Sequence, residues 1–584
     1  MINGHKETEN RNIANAFNSY FTEIGPNLAK DIEMPINKNY KDYLTNPVQS
    51  NFQFKSVNIE DVVKAIQSLK PKTSCGKDLI LNKLLHAISS ELAVPIKDII
   101  NQTFASAVFP DSLKIAKVTP LYKKKNESYL IENYRPISIL PSVSKVFERI
   151  MHNQVYNYFR NTNLFFKHQY GFRSEHSTEF AALELVDRIY FNMDINKLPL
   201  NIFMDLSKAF DTLDHEILLY KLEYYGLSGK SLMLMKNYLY NRTQFVEFNS
   251  TMSDILQIKC GVPQGSILGP LLFIIYINDL PTVTKLFKFI IYADDSTLFT
   301  TISYNTPCKT EIDTINNNLL LISDYLKLNK LSLNVEKTKA MLFRTTQRQV
   351  SYPKIYIEGK EIEFVKEFNY LGILLDVHLN FKSHVTMISN KISRAVGIMS
   401  KLKNFIPKSA LLHIYNSLIV SHMNYGLIVW GRCNSHTSQV EKLQKKAIRI
   451  LNNVKYNSHT SSLFKRDGIL KFRDICALHD FKFCYKFVNG LLPVYFQENL
   501  GGTNTHGYST RQTGSMVVPS VRHEFARNSI SYRFPVLYNN MPELFRQKIN
   551  THSFFGFKNY IKIKIIEAYD PSCNIPNCYI CLNS

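Results

Sequence analysis

The N-terminal quarter of the chain alternates between helical and extended hydrophobic patterns. Up to about residue 50, apolar side chains recur three and four residues apart, which predicts helices. The stretch FQFKSV, residues 52–57, predicts a short strand, and Asn58 can cap the helix that follows it. Farther on, AKVTPLYKKKN predicts a strand that runs into a basic turn. The apolar positions behind the first helix prediction are Ile13, Phe17, Phe21 and Ile24.

Strand and helix patterns alternate between Pro199 and Asp376. A short apolar strand, Leu200–Met204, ends at Asp205, and the next helix pattern stops at Gly226. Strand patterns mixed with helix patterns in this way predict an α+β fold.

The same region contains a loop rich in glycine and proline and a pair of adjacent aspartates. A loop rich in glycine and proline lies within Cys260–Pro281, where glycine allows a ligand to approach the backbone closely, and its second half predicts a helix, Pro270–Ile277. After it, apolar runs flank YADD, residues 292–295, which predicts a buried hairpin with two aspartates at its tip.

The C-terminal third is mostly helical by pattern. Its first helix carries one apolar stripe and ends by Pro407. Beyond it, periodicity alone assigns no function. The stripe consists of Val385, Ile388, Ile392 and Val396.

Composition places the chain among ordinary globular proteins. Its 584 residues, 45% hydrophobic and 20% charged, predict three or four domains or subdomains. No apolar run approaches the roughly 18 residues that a membrane span needs, and the polar N-terminus does not resemble a secretory signal. The nine cysteines are mostly scattered singly, which favours reduced thiols and an intracellular protein.

Positive charge is concentrated in one segment. The chain has a formal charge of +22, and 16 Lys and Arg with only two acidic residues fall between Val377 and Arg473. Clustered cations favour a polyanionic partner because phosphate contacts release counterions. A solvated basic surface is the alternative.

The aspartates suggest metal chemistry. Asp294 and Asp295 are adjacent, and Asp205 ends a separate strand. Adjacent carboxylates repel each other, and a cation relieves that repulsion. Carboxylates that converge from separate strands suit Mg²⁺, and two such ions about 4 Å apart stabilise the attacking and leaving oxygens of phosphoryl transfer. Two adjacent aspartates taken alone are more often a solvated turn.

The ordered motifs FMDLSKAFD, GVPQGSILGPLLF, YADD, LSLNVEKTK and FNYLG resemble the reverse transcriptase of jockey-like non-LTR retrotransposons. The resemblance is strong over about residues 58–376 and implies a right-hand polymerase fold of fingers, palm and thumb. It also implies two Mg²⁺ ions, for which Mn²⁺ can substitute, held by Asp205, Asp294, Asp295 and the backbone carbonyl of Leu206. Lys337 is then a catalytic residue, as a general acid near the leaving pyrophosphate.

The same resemblance implies two further groups of site residues. Phe210 would exclude a ribose 2′-hydroxyl. Basic side chains would bind the triphosphate. The loop at residues 263–265, here called the PQG loop, would support the nucleotide. The nucleotide-binding residues are Lys123, Lys124, Arg135, Phe210, Gln264 and Gly265. The template- and primer-binding residues are Gln169, Arg173, Tyr370, Leu371, Gly372, Lys391, Arg394, Lys442, Lys445, Lys446 and Arg449.

Four segments follow from this interpretation: an N-terminal helical extension (1–57), fingers and palm (58–376), a basic helical thumb (377–455) and a C-terminal region (456–584). Two features depart from the family. Leu79 stands where the family has a glycine, and the short N-terminal segment does not fit the usual nicking endonuclease. A C-terminal cysteine cluster leaves a zinc knuckle and a decayed knuckle both open, since a fourth ligand is not evident and His552 lies at unusual spacing. The cluster is Cys573, Cys578 and Cys581.

The leading hypothesis is an RNA-directed DNA polymerase that extends a primer 3′-hydroxyl with dNTPs on an RNA template, at a nick in target DNA. Its partners would be template RNA, primer or nicked DNA and dNTPs, with no membrane and no predicted oligomeric state. The family implies action in the nucleus, with the cytoplasm as the alternative. A catalytically retired nucleic-acid-binding relic and a maturase-like RNA-binding protein remain alternatives.

Overall fold

A computed structural model of the chain describes residues 7–45, 47–123, 127–303, 309–500, 502 and 515–569. The fold is mixed α and β, as predicted. None of the helices in these ranges is both long and apolar enough to cross a lipid bilayer.

The N-terminal part packs helices around two strands. Its elements are α1 (Asn10–Lys30), α2 (Ile59–Ser68), α3 (Asn82–Ala87), α4 (Ser89–Ser106), β1 (Ile115–Tyr122), β2 (Tyr134–Ile139), α5 (Ser142–Asn161) and α6 (Thr178–Asp194). Short 3₁₀ turns cover Tyr40–Tyr43, Asp111–Leu113 and Ile131–Asn133.

Most of the strands belong to the middle part. Its elements are β3 (Leu198–Met204), α7 (His215–Tyr224), α8 (Gly229–Leu239), β4 (Thr243–Phe248), β5 (Thr251–Met252), β6 (Leu256–Gln257), α9 (Leu268–Tyr276), β7 (Lys288–Tyr292), β8 (Asp295–Ile302), α10 (Lys309–Leu328), β9 (Lys339–Leu342), β10 (Tyr356–Ile357), β11 (Lys360–Glu361), β12 (Glu363–Phe364), β13 (Glu367–Tyr370) and β14 (Ile373–Asp376). A 3₁₀ turn covers Leu280–Thr282.

The C-terminal part is helical where it is described. It comprises α11 (Lys382–Leu402), α12 (Lys408–Ile414), a π-helical turn (Tyr415–Val420), α13 (Ser421–Asn424), α14 (Leu427–Trp430), α15 (Asn434–Leu451), α16 (Ser461–Arg466), α17 (Phe472–Val488), α18 (Val494–Leu500), a 3₁₀ turn (Glu524–Asn528), α19 (Ile530–Asn539), α20 (Glu543–Thr551) and α21 (Phe554–Glu567).

Two five-stranded sheets organise the chain. The first sheet has the order β2-β1-β4-β5, with β6 also paired to β4. The central sheet has the order β12-β9-β3-β8-β7. Side chains alternate across its strands: Ile202 and Leu298 face one hydrophobic cluster, whereas Phe203 and Phe299 face the other.

The hydrophobic cluster that contains Phe203 and Phe299 joins the C-terminal helices to the rest of the chain. It contains residues of α6 and the central sheet together with residues of α11 through α21. The predicted segments 377–455 and 456–584 therefore share one core wherever the structure describes them.

The local predictions around α2 have mixed outcomes. Asn58 caps α2 by accepting a hydrogen bond from the Asp61 amide, and the Asp61 carboxylate accepts one in return from the Asn58 amide. The predicted strand at residues 52–57 is wrong, because Phe52 makes only an isolated bridge to Leu227. Leu79 adopts φ 56°, a left-handed conformation that glycine adopts more readily than leucine. It does so at the position where the resemblance leads us to expect glycine.

The prediction of several N-terminal helices is only partly right. Before residue 58, the described residues contain one α-helix, α1, and one 3₁₀ turn. Helix α1 packs on the first sheet, where the Phe17 ring centroid lies 4.9 Å from that of Tyr134. The buried Asn18 donates a 2.8 Å hydrogen bond to the Asp254 carbonyl. The N-terminal helix is therefore part of the fold around the first sheet.

Gly25 allows α1 to approach the middle part of the chain. A Cβ atom at this position would lie 2.3 Å from the Asp211 carbonyl oxygen and 2.5 Å from Cys260 Sγ. Both distances are far shorter than van der Waals contact, so only glycine fits here without displacement of the helix.

We expect Gly25→Ala to weaken the packing of α1 against Asp211 and Cys260. Overpacking of this kind costs about 1–3 kcal/mol, so amide hydrogen exchange across residues 10–30 should accelerate about tenfold or more. Gly397→Ala is the matched control, because Gly397 lies in α11 with nothing within 4 Å of its added Cβ. Wild-type exchange in α1 of Gly25→Ala would contradict this packing.

Candidate active site

The register of the central sheet brings the three predicted carboxylates to one edge. Strand β3 runs antiparallel to β8 with Met204 opposite Ser296, so Asp205 follows beside Asp295. Strands β7 and β8 pair through Tyr292 and Asp295, which leaves only Ala293 and Asp294 in the turn. The hairpin prediction is confirmed.

The turn between β7 and β8 has an unusual backbone. Ala293 adopts φ 56°, although this first turn position usually requires glycine. The Gln169 side-chain oxygen accepts hydrogen bonds from the Ala293 amide at 3.2 Å and from the Gly171 amide at 2.8 Å. The Tyr170 backbone amide donates a 2.7 Å hydrogen bond to the Ile291 carbonyl. The segment that precedes α6 therefore holds the candidate catalytic turn, residues 293–294, in place.

Burial and mutual repulsion shift the acidity of the pair in the turn. Burial, followed by the charges of Asp294 and Asp205, raises the pKa of Asp295 to about 6. Burial also raises the pKa of Asp294, and Asp205 adds to this effect while Arg135 opposes it. The arrangement concentrates negative charge that a cation would relieve.

Lys337 lies in this site. Its ammonium is 3.4 Å from Asp205 Oδ2, so it partly neutralises that carboxylate. Leu206, which directly follows Asp205, forms an isolated bridge with Leu333. The metal-binding and general-acid roles assigned to these two residues stay predictions.

Cations approach the carboxylates from the first sheet. Burial, with the charges of Lys208 and Arg135, lowers the pKa of Lys123 to about 8. The Lys123 ammonium donates to the Glu132 carbonyl at 2.8 Å. Sequence reasoning missed Lys208, which lies in the turn after Asp205 and has no periodicity to mark it. Lys124 lies outside the described residues.

The PQG loop is hydrogen-bonded to the strand that carries Arg135. The Ser138 amide of β2 donates to the Gln264 carbonyl at 2.9 Å. Gly265 adopts φ 135°, and a Cβ there would lie 2.3 Å from the Ser138 carbonyl oxygen. The loop that carries Gln264 and Gly265 therefore packs against the same strand that carries Arg135, and the nucleotide-binding role of these three residues stays a prediction.

Phe210 lies in the turn between β3 and α7, not in a helix. Its ring centroid is 4.8 Å from that of the buried Phe273. On another side, Phe172 meets it edge to face at 6.2 Å and is itself 47% exposed. Phe172 therefore also contacts Phe210, the side chain predicted to exclude a ribose 2′-hydroxyl and called the sugar gate below.

A cavity of about 480 Å³ separates the catalytic edge from the hairpin β13–β14. Asp205, Asp295 and Lys337 line one side, and Leu371 lines the other. Tyr370 is buried, and the hairpin tip is formed by Leu371 and Gly372 with φ 47° and 84°. Of the three predicted primer-binding residues here, the two tip residues are therefore the ones presented at the surface.

Two predicted template residues are engaged inside the protein. Gln169 is 2% exposed and holds the catalytic turn. Arg173 donates from Nη1 to the Phe166 carbonyl at 2.8 Å and to the Gln169 carbonyl at 3.2 Å. This geometry gives both residues a supporting role, and their contact with template stays a prediction.

The predicted basic surface is largely exposed. Helices α11 and α15 pack against each other through their apolar stripes. Lys391, Arg394, Lys442, Lys445 and Lys446 are exposed. Arg449 is half-buried and donates to the Ser458 carbonyl at 2.8 Å.

The residues at the catalytic edge fit a divalent cation in part. Within the described ranges, no three His, Cys, Asp or Glu side chains form a complete metal-binding cluster. Mg²⁺ in enzymes of nucleotide chemistry is commonly bound by one or two carboxylates together with substrate phosphates and water. Asp205, Asp294 and Asp295, with their raised local negative charge, fit that kind of site.

The predicted zinc cluster, Cys573, Cys578 and Cys581, lies outside the described residues. The cysteines in the described ranges are unpaired, and they are Cys75, Cys260, Cys433, Cys476 and Cys484. His552 hydrogen-bonds with Thr551 at 3.0 Å.

Comparison with known proteins agrees with this geometry. Residues 122–375 match the family described as "Reverse transcriptase (RNA-dependent DNA polymerase)". The "RNA-directed DNA polymerase from mobile element jockey" of Drosophila melanogaster is 28% identical over 445 residues, which cover 74% of this chain and 48% of that protein. The "Probable RNA-directed DNA polymerase from transposon X-element" of the same species is 28% identical over 434 residues, or 73% of this chain and 47% of that protein. The chain spans about half the length of the curated relatives it matches.

We expect metal binding at this site to depend on pH. Because the pKa of Asp295 is raised to about 6, this carboxyl is neutral below pH 6 and charged above it. Mn²⁺ affinity, measured by electron paramagnetic resonance, should fall roughly tenfold for each pH unit below 6 if one proton is displaced per ion. Asp295→Asn should weaken binding and reduce this dependence, and the raised pKa of Asp294 accounts for what remains. Equal affinity of the wild type from pH 5 to 7.5 would contradict the assignment.

Proposed function

Because residues 122–375 match the reverse transcriptase family, we propose that this chain is an RNA-directed DNA polymerase of a non-LTR retrotransposon. It extends a primer 3′-hydroxyl with dNTPs on an RNA template. The observation that carries the proposal is the register of the central sheet, which brings Asp205 beside the turn of Asp294 and Asp295.

The right-hand architecture assigns a role to each part. The first sheet and its helices act as fingers, the central sheet as palm, and α11 with the helices after it as thumb. The exposed lysines of α11 and α15 then contact the backbone of the template–primer duplex without reading its sequence. The concentration of positive charge in this segment supports that role.

Nucleotide binding uses the cations on the first sheet. Lys123 and Arg135 hold the triphosphate, with the guanidinium suited to bidentate contact. Burial first, and then the positive charges of Lys208 and Arg135, lower the pKa of Lys123, and a bound triphosphate would offset the repulsion among these cations. Phe210 lies under the sugar and leaves no room for a 2′-hydroxyl.

Primer extension uses the carboxylate edge. The hairpin tip Leu371–Gly372 holds the primer across the cavity from Asp205. Asp205 and Asp294 would hold two Mg²⁺ ions, with help from Asp295 and the Leu206 carbonyl. When bound, such ions stabilise the attacking 3′-oxygen and the leaving pyrophosphate. Lys337 stands beside Asp205 and donates a proton to the pyrophosphate as it leaves.

We further propose a biological setting for this reaction. The primer would be the 3′-end of a nick in target DNA, and the template would be the element's RNA. A protein that acts at a chromosomal nick would work in the nucleus.

Primer extension tests the proposed function. On poly(rA)/oligo(dT) with Mg²⁺, we expect the wild type to extend the primer and Asp294→Asn to lose activity by roughly a thousandfold or more, because one metal-binding carboxylate is removed. Asp313→Asn is the matched control at an exposed position of α10. A folded wild type that binds the duplex but extends nothing would instead identify a binding-only protein.

Sugar selection tests the placement of Phe210. Phe210→Val should lower the preference for dTTP over UTP by about tenfold or more, because the ring no longer excludes the 2′-hydroxyl. Phe191→Val makes the same change at a side chain that is 61% exposed on α6, and it should leave the preference intact. An unchanged preference in Phe210→Val would assign the gate to another residue.

A further inference from the structure

The residues His168, Gln169 and Tyr170 form a short extended segment beside β7. The Ile291 amide donates to the His168 carbonyl at 3.0 Å, and the Tyr170 amide donates to the Ile291 carbonyl at 2.7 Å. These two bonds flank a parallel bridge between Gln169 and Ile291. Successive side chains of an extended segment lie on opposite faces. Gln169 is accordingly directed to Ala293, whereas its two neighbours are directed to α6.

Glu184 of α6 receives the two side chains on that second face. The Tyr170 hydroxyl donates to Glu184 Oε2, and His168 Nδ1 lies 2.9 Å from Oε1. Arg188, one turn farther along the same helix, donates from Nε to Oε1 at 2.8 Å. Glu184 is 0% exposed. Both carboxylate oxygens are therefore used inside the protein, and Glu184 can act on a substrate only through its neighbours.

The Glu184 carboxylate is ionised. Burial alone would raise the pKa of Glu184, but the hydrogen bond and charge of His168, the charge of Arg188 and the hydrogen bond of Tyr170 outweigh burial and hold that pKa below its usual value. An ionised carboxylate only accepts hydrogen bonds, so His168 must present a protonated Nδ1. Loss of the charge would weaken every bond in the group, because hydrogen bonds to an ionised acceptor are roughly twice as strong as neutral ones.

Arg188 is itself held by the C-terminal part of the chain. Its guanidinium carbon lies 4.7 Å from the centre of the Tyr495 ring on α18. The Tyr495 hydroxyl in turn donates to Asp187 Oδ2 at 2.8 Å. Packing on both sides of the guanidinium therefore keeps Arg188 against Glu184.

The turn at residues 293–294 needs a hold from outside its own hairpin. Ala293 adopts φ 56°, a conformation that is strained for alanine. The Gln169 side-chain oxygen accepts a 3.2 Å hydrogen bond from the Ala293 amide. A side chain can hold a strained turn only as firmly as its own backbone is held. The backbone of Gln169 is fixed by β7 on one side and, through the residues before and after it, by Glu184 on the other.

We propose that Glu184 is a positioning residue for primer extension, which holds Gln169 so that Asp294 and Asp295 stay in the geometry that binds metal. The proposal rests on the proposed polymerase function. The effect of Glu184 passes through Gln169 to the backbone of the turn.

Glu184→Gln tests the proposal, because it keeps the size of the side chain and removes its charge. On poly(rA)/oligo(dT) with Mg²⁺, we expect kcat to fall by about 10- to 100-fold, since small displacements of catalytic groups have effects of that size. The Kd for the duplex should be unchanged, because the lysines of α11 and α15 are untouched. Mn²⁺ affinity, measured by electron paramagnetic resonance without nucleic acid, should also fall, because displaced carboxylates bind the ion less well.

Ala293→Gly distinguishes positioning from a general loss of stability. Glycine adopts a positive φ without strain, so a turn with glycine depends less on the hold from Gln169. In an Ala293→Gly background, Glu184→Gln should therefore lower kcat by only about threefold or less. A purely structural role would give the same loss of kcat in both backgrounds.

Asp194→Asn is the matched control on the same helix. It removes a buried carboxylate at the C-terminal end of α6, where Asp194 accepts from the amides of Arg522 at 3.0 Å and His523 at 2.8 Å. This variant should lower Tm and leave kcat unchanged.

Tyr170→Phe is a second test of the same contact. It removes one donor to Glu184 at nearly the same size. It should lower kcat in the same way, and the loss should again be smaller in the Ala293→Gly background.

The outcomes are distinct. Unchanged kcat in a folded Glu184→Gln overturns the proposal, and if that variant does not fold, unchanged kcat in Tyr170→Phe overturns it. Equal losses of kcat with and without Ala293→Gly also overturn it. A wild type that extends no primer refutes the proposed polymerase function itself. Equal Mn²⁺ affinity of the wild type and Glu184→Gln would then overturn this inference separately.

Discussion

The catalytic turn depends on its pairing with the segment that precedes α6. Ala293 occupies a backbone conformation that ordinarily requires glycine, and a free hairpin would relax out of it. The Gln169 carboxamide, the backbone bonds to Ile291 and the close approach of Gly171 hold the turn where Asp294 faces Asp205. The position of the catalytic carboxylates is thus set by an element outside their own sheet.

The charges of the site are divided between two sheets. The central sheet contributes the carboxylates, and burial together with their mutual repulsion raises the pKa values of Asp294 and Asp295. The first sheet contributes Lys123 and Arg135, and burial together with neighbouring positive charge lowers the pKa of Lys123. The members of each group repel one another, and each group attracts a ligand of opposite charge: the carboxylates attract a metal ion and the cations attract a triphosphate. A metal-bound nucleotide satisfies both at once, which is why the polymerase interpretation accounts for the whole arrangement.

Local signals predicted the parts of this site that are formed by neighbours in sequence. The apolar runs around YADD predicted the hairpin, and the strand ending at Asp205 predicted the third carboxylate. Asn58 predicted the start of α2 because a capping box needs only four residues. These features depend on short-range periodicity and on hydrogen bonds within one turn.

The contacts between distant segments were not predictable in the same way. Nothing near Gln169 in the sequence indicates that its side chain is buried against Ala293, 124 residues away. The approach of Gly25 to Asp211 and the contact of Phe172 with Phe210 likewise depend on how sheets and helices dock. A pattern of residue types identified these side chains as polar, small or aromatic, and the tertiary packing then assigned their neighbours.

The most direct test of the account is a structure of the chain with an RNA template, a DNA primer lacking its 3′-hydroxyl, a matching dNTP and Mn²⁺. The account predicts two anomalous peaks about 4 Å apart between Asp205 and Asp294, with the nucleotide triphosphate against Lys123 and Arg135. A bound duplex with no metal at these carboxylates, or a nucleotide bound elsewhere, would contradict it.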